Sequence, residues 1–280
     1  MGPARRIIQY MVLLVGGLSP FISISAEGVT RIPLKRGLIS IPATADFTDG
    51  RYHLVLHLHG ARKVMESNLA ATHPKAVWAN LTLPGLSSVY RRHFQDSNVF
   101  ASLLEEIERT LTTTVPERNL HRHHLTLSSF SAGFGGVREL LKQPENRSQI
   151  HTLVMADSLY AGFIGKPENR TLNPDHLNPF LAFARLAIKG ERTMVLSHTQ
   201  LHTPSYASTK ETADYLIQHL GGRRQTSHKE HPGGLTERDR CSLGKFTVIG
   251  FDGLTGDDHM KHLRQIQLFF KEAKAMNLTQ

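Results

Sequence analysis

Cysteine is almost missing from this chain: Cys241 is the only one in 280 residues. A single thiol excludes an intramolecular disulfide, so a core must hold the molecule together. Long apolar runs are missing beyond residue 26, which excludes a later membrane-spanning helix, since that needs about 20 such residues. Internal repeats, low-complexity tracts and nucleic-acid-binding motifs are also lacking. Acidic residues are outnumbered, 24 against 33 lysines and arginines, for a net charge of +9. The cations are scattered, with short clusters only at Arg91–Arg92 and Arg223–Arg224, as on an ordinary solvated basic surface. Seventeen histidines would add charge in a mildly acidic medium.

What is present reads as one folded unit behind a leader. Hydrophobic residues make up 40% and charged residues 20%, which excludes a disordered chain, and the length suits one α/β domain. Arg5 and Arg6 precede a short apolar run over 7–18, and small residues follow at Ser23, Ser25 and Ala26. That order predicts a signal peptide over 1–25, cleaved after Ser25 or Ala26, and an exported protein whose domain is 26–280. Cleavage removes two arginines and takes the charge from +9 to +7. A retained membrane anchor is the alternative. Asn-x-Ser/Thr triplets at Asn80, Asn146, Asn169 and Asn277 matter only in a host that glycosylates.

Periodicity predicts strands at 29–34 and 38–42 as a hairpin, then at 52–58, 78–84, 124–129, 150–156, 193–197 and 246–251. Helical spacing appears over 99–112, 135–142, 178–188 and 209–220, and in one long closing helix over 259–276. Strands alternating with helices imply an α/β fold. Its sheet is mostly parallel, is flanked by helices and has an antiparallel amino-terminal edge. The polar stretch 223–244 reads as a loop or insertion, and any cap is small, drawn from 158–178 or 223–244. The run His121-Arg-His-His124 falls at the far end of a strand from the candidate site and reads as surface.

One segment carries the chemistry. An apolar strand runs into Ser129-Phe-Ser131-Ala-Gly133, and a helix follows. A nucleophilic serine between strand and helix needs small neighbours two positions either side, so that the backbones can pass closely. Here the first small residue is Ser129 where glycine is usual. A second segment, His57-Leu-His59-Gly60, ends the strand at 52–58. Two histidines at i and i+2 share a face, which would suit a metal, but no cysteine or carboxylate lies close in sequence, and no metal is expected.

With these two segments the chain resembles the α/β-hydrolase superfamily, and its esterase- and lipase-like members in particular. The resemblance implies an oxyanion hole from the N–H groups of Ala132 and of Gly60 or Ala61. It also implies a chain order of serine, acid, histidine. His259, after the last strand, is then the expected base, with His262 the fallback. No carboxylate follows the strand at 193–197 before Glu211, so the acid is sought one strand earlier, at Asp157. Asp252, Asp257 and Asp258 are rivals that suit helix capping better. His198 and His202 are candidate substrate contacts. The expected protein is an exported serine hydrolase that cleaves carboxylic esters without a cofactor. Its substrate would be a small-molecule or polymer-linked acyl compound. A non-catalytic binding protein and a peptidase on the same fold remain alternatives, and oligomeric state is left open.

Overall fold

The computed structural model describes residues 28–115 and 119–278, together with the short strand Ser23–Ile24. Apart from that strand, the expected leader and its cleavage point lie outside the described residues. In chain order the strands and helices are β1 (Ser23–Ile24), β2 (Val29–Pro33), β3 (Leu38–Pro42), β4 (Arg51–Leu58), α1 (Arg62–Thr72) and β5 (Val77–Leu81). Then come α2 (Ser87–Phe94), α3 (Ser97–Thr114), β6 (His121–Phe130), α4 (Phe134–Lys142), α5 (Pro144–Gln149) and β7 (Thr152–Ala156). A two-strand ribbon, β8 (Phe163–Ile164) and β9 (Thr171–Leu172), precedes α6 (Pro174–Ile188), β10 (Thr193–His198) and α7 (Thr209–His219). The chain closes with β11 (Gln225–His231), β12 (Leu235–Leu243), β13 (Phe246–Phe251), α8 (Gly256–Arg264) and α9 (Gln267–Leu278).

One sheet runs in the order β1-β2-β3-β5-β4-β6-β7-β10-β13-β12-β11. The six strands from β5 to β13 pair in parallel, and both edges are antiparallel. Parallel strands must be buried on both faces, and β7 and β10 are buried along their whole length. Two apolar cores result. One joins the sheet to α2, α3, α4, α6 and α7, with Phe94, Phe100, Leu140, Phe180 and Leu216 at its centre. The other joins the opposite face to α1, α8 and α9 through Met65, Leu69, Leu263, Phe269 and Phe270.

The predicted α/β architecture with its antiparallel amino-terminal edge is the one observed. Four local expectations change. Residues 223–244 are not a loop: β11 and β12 form a hairpin that extends the sheet beyond β13. The closing helix is two helices, because the chain turns at Gln265 and Ile266. Helices α1 and α2 stand where no helix was expected. The fourth concerns the histidines of β6. Register places His53 beside His124, and His151 N–H bonds Leu125 O, so three imidazoles gather at the amino-terminal end of the sheet. His124 is therefore half-buried, and only part of the run 121–124 is surface.

Candidate active site

Ser131 follows the last residue of β6 and begins a single 3-10 turn that leads into α4. Its φ is 48°, a conformation that costs a non-glycine residue free energy and persists only where the surroundings enforce it. The surroundings are specific. A Cβ built on Gly133 would lie 2.3 Å from the Leu58 carbonyl oxygen, so only glycine lets the turn pass β4. Ser158 Oγ donates to the Ser131 carbonyl at 2.9 Å, and it sits 2.8 Å from Ser129 Oγ. Ser158 spends its proton on the carbonyl, so Ser129 must be the donor to Ser158. Ser129, which replaces the usual glycine, thus braces the strained turn through Ser158. The positive end of α4 points back at the same turn.

Asp157 stands at the carboxyl end of β7, also with a left-handed φ, of 43°. It is 1% exposed. Burial by itself would raise its carboxyl. The hydrogen bond from His259, the nearby imidazoles and Thr209 outweigh that and hold it well below the usual carboxylate range. Thr199 donates both its N–H and its hydroxyl to Asp157, each at 3.0 Å, and the Thr209 hydroxyl donates as well. His259 Nδ1 completes the shell at 2.6 Å from Asp157 Oδ2. The His259 ring stacks on Phe130, with centroids 4.5 Å apart, and lies in the first turn of α8.

The rival carboxylates are occupied elsewhere. Asp258 caps α8 by accepting from Thr255 and pairs with Lys261. Asp257 pairs with Arg264, and Asp252 with Arg238. His262 is fully buried with Nδ1 on Ser197 Oγ, and burial pushes it down to about 4. His198 is also inside, 1% exposed, with Nδ1 on the Thr199 carbonyl. The structure thus brings Ser131, Asp157 and His259 to one end of the sheet. It does not bring His198 to the solvent-facing side of that end. His202 is exposed on the loop after β10.

The loop after β4 holds two consecutive peptide planes. His57 is sealed in the core; its Nε2 lies 2.9 Å from the His59 carbonyl, and its Nδ1 lies 2.7 Å from Ser128 Oγ. A carbonyl only accepts, so Nε2 carries the proton and Nδ1 accepts from Ser128. Burial pushes His57 down to about 3, which keeps it in this neutral form. In a trans peptide the N–H points away from the preceding C=O. Anchoring His59 C=O therefore turns Gly60 N–H away from His57. The Gly60 carbonyl is held in turn by Thr82 Oγ1 at 2.7 Å, which sets the direction of Ala61 N–H. Among the described residues neither N–H has an acceptor. Gly60 has φ 153°, which favours glycine. The His59 ring is held by the Tyr90 hydroxyl at 3.1 Å, and burial, reinforced by His259, lowers its pKa.

No protein-family model and no curated protein matches the sequence. Among solved structures the chain is similar to an uncharacterised protein from Capnocytophaga ochracea, with TM-score 0.50 and 9% identity over 89% of this chain. The chain spans 63% of that protein's length. It is also similar to the siderophore hydrolase EstB from Aspergillus nidulans (TM-score 0.47, 14% identity, 90% of this chain and 97% of that one). A third is the feruloyl esterase module from Clostridium thermocellum (TM-score 0.42, 12% identity, 91% and 88%). Identities this low speak to the fold alone. The strand order, the parallel crossovers and the strand-to-helix turn at Ser131 make that fold the α/β-hydrolase fold.

Proposed function

We propose that the protein is a serine hydrolase that cleaves carboxylic esters through an acyl-enzyme on Ser131. The observation that carries the reading is the 2.6 Å contact between His259 Nδ1 and the buried carboxylate of Asp157, beside a strained serine turn. Asp157 fixes the His259 tautomer with Nδ1 protonated, so Nε2 is the basic nitrogen. Ser131 Oγ attacks the acyl carbon as Nε2 takes its proton. The N–H groups of Ala132 and of Gly60 or Ala61 receive the negative charge that develops on the carbonyl oxygen. One such donor is worth about 100- to 1,000-fold in rate. The imidazolium returns the proton to the leaving alcohol. Water then attacks the acyl-enzyme by the same route, and the carboxylic acid and free serine are regenerated.

The four hydrogen bonds on Asp157 support this assignment, because they keep it ionised and fixed while His259 gains and loses a proton. No metal or cofactor enters any step. The leader-like residues 1–25 support a reading in which the enzyme works outside the cytoplasm. The substrates proposed for it are small or polymer-linked acyl compounds. His202, on its exposed loop, is the remaining side-chain candidate for contact with such a substrate. Hydrolysis of short-chain p-nitrophenyl esters tests the proposal. The wild type turns them over and prefers them to the matching anilides, and Ser131→Ala loses the activity by several orders of magnitude. Equal rates for the two proteins would contradict it.

A further inference from the structure

A cavity lies at the opposite end of the sheet from Ser131. It is open to solvent and has a volume of about 730 Å3, in the range of small-molecule sites. His53 on β4, His73 after α1, and His123 and His124 on β6 line it. Phe270 and Ala273 of α9, with Ala76, give it an apolar wall, and Arg51, Lys75 and Lys274 stand around it.

The imidazoles form a connected group. The His53 and His124 ring centroids are 4.5 Å apart, His53 and His73 are 5.3 Å apart, and His151 stacks behind His124 at 4.7 Å. In three of the four cavity rings one nitrogen is tethered to a threonine hydroxyl: His53 to Thr126, His124 to Thr152 and His73 to Thr72. The Thr72 hydroxyl already donates to Asn68 O, so it accepts from His73 Nδ1–H and leaves a lone pair on Nε2. The second nitrogens of His53, His73 and His124 have no hydrogen-bond partner among the described residues. Unlike Nε2 of His198 and His262, they are not sealed from solvent.

We propose that this cavity is a second ligand site, which takes a small organic anion with an aromatic or short aliphatic body together with a proton. The charges around it favour an anion over a cation. Lys274 on α9 is exposed and has no ion-pair partner among the described residues. Arg122 and Arg192 add positive charge near His151. Against these stand Asp46, 3.8 Å from Lys75, and Asp49, 3.7 Å from Arg51. No group of three ligands among the described residues is arranged to hold a metal ion.

Proton linkage follows from the same crowding. Burial first, then neighbouring imidazoles, pushes His124 down to about 4 and His53 well below its usual range. Burial and Lys274 bring His73 to about 4. An anion seated among them reverses the repulsion and raises these pKa values, so affinity rises as pH falls.

Titration calorimetry with benzenesulfonate, whose charge is independent of pH, tests the site, with benzyl alcohol as the uncharged analogue. We expect saturable one-to-one binding with net proton uptake. Each proton taken up adds as much as about tenfold in affinity per pH unit below neutrality. Benzyl alcohol binds at least about tenfold more weakly. His124→Gln and the exposed Lys274→Glu each weaken benzenesulfonate by about fivefold or more, while ester hydrolysis by Lys274→Glu is unchanged. No saturable binding down to about pH 5, binding without proton uptake, or equal binding by Lys274→Glu overturns the proposal.

Discussion

Two residues act at a distance from the reacting atoms, and each has its own signature. His57 touches no substrate in the proposed mechanism, yet it fixes the peptide that carries Gly60 N–H. His57→Leu keeps the bulk and leaves the His59 carbonyl and the Ser128 hydroxyl without partners. The variant should lose about 1–3 kcal/mol of stability. Its kcat should fall by roughly 10- to 100-fold with KM little changed, as when one oxyanion donor is misaligned. Steady-state kinetics decide this, and an unchanged kcat removes the positioning role. Asp157→Asn keeps the shape and loses the charge that holds the His259 tautomer, so kcat should fall by about 10,000-fold, as for other triad acids. A near-normal rate would exclude Asp157 from the mechanism. At this scale the sequence was informative for Ser131 and His259, because strand-turn-helix order and chain order both point to them. It marked Ser129 only as a small residue and was silent on its hydroxyl, which acts through Ser158, 29 positions away. It also could not show that His198 turns inward, since strand alternation does not say how a strand's last side chain packs.

The elements place the site by their ends. Helix α8 begins with Thr255 and Asp258 capping each other's backbone groups, and His259 is the next residue. Thr255→Ala should cost about 1 kcal/mol in thermal or urea unfolding. It should also lower kcat, because the first turn that orients His259 frays. A stability loss with no kinetic effect would separate the cap from the site. The elements that sequence missed have identifiable reasons. Helix α1 opens on Arg62 and Lys63 and interleaves Glu66 and Asn68 with its core residues Met65 and Leu69, and Glu66 is held by Arg31, Ser40 and Arg62. The β11 strand, QTSHKEH, is a polar edge with no apolar face. The apolar residues Leu263, Ile266, Phe269 and Phe270 keep helical spacing across the junction between α8 and α9, so the turn there is invisible to periodicity.

At the scale of the whole molecule, the unusual feature is how many histidines are kept neutral inside a basic protein. Burial lowers His57 to about 3, and His198 and His262 to about 4. The unfolded chain protonates these rings near 6.5 and the folded chain does not. The unfolded state therefore binds more protons below that value. Stability is full above about 6.5 and declines as pH falls toward 4, by up to about 1.4 kcal/mol per pH unit for each ring. Asp157, whose folded pKa is also depressed, adds a further loss only at lower pH, below its ordinary range. Urea denaturation across this interval should show the midpoint fall steadily. A flat profile would mean that the rings are not sealed. The overall α/β order was legible because parallel strands are continuous apolar runs. The histidine cavity was not, because β4, β6 and the start of β7 contribute to it from positions about 70 and 30 residues apart, which only sheet register brings together.

The central claim is that Ser131 is the nucleophile, and covalent capture tests it most directly. The wild-type protein is treated with a fluorophosphonate, and the adduct is located by mass spectrometry of its peptides. The account predicts a single adduct on Ser131, formed slowly in Asp157→Asn and absent in Ser131→Ala. An adduct on another residue, or equal labelling of Ser131→Ala, would contradict it.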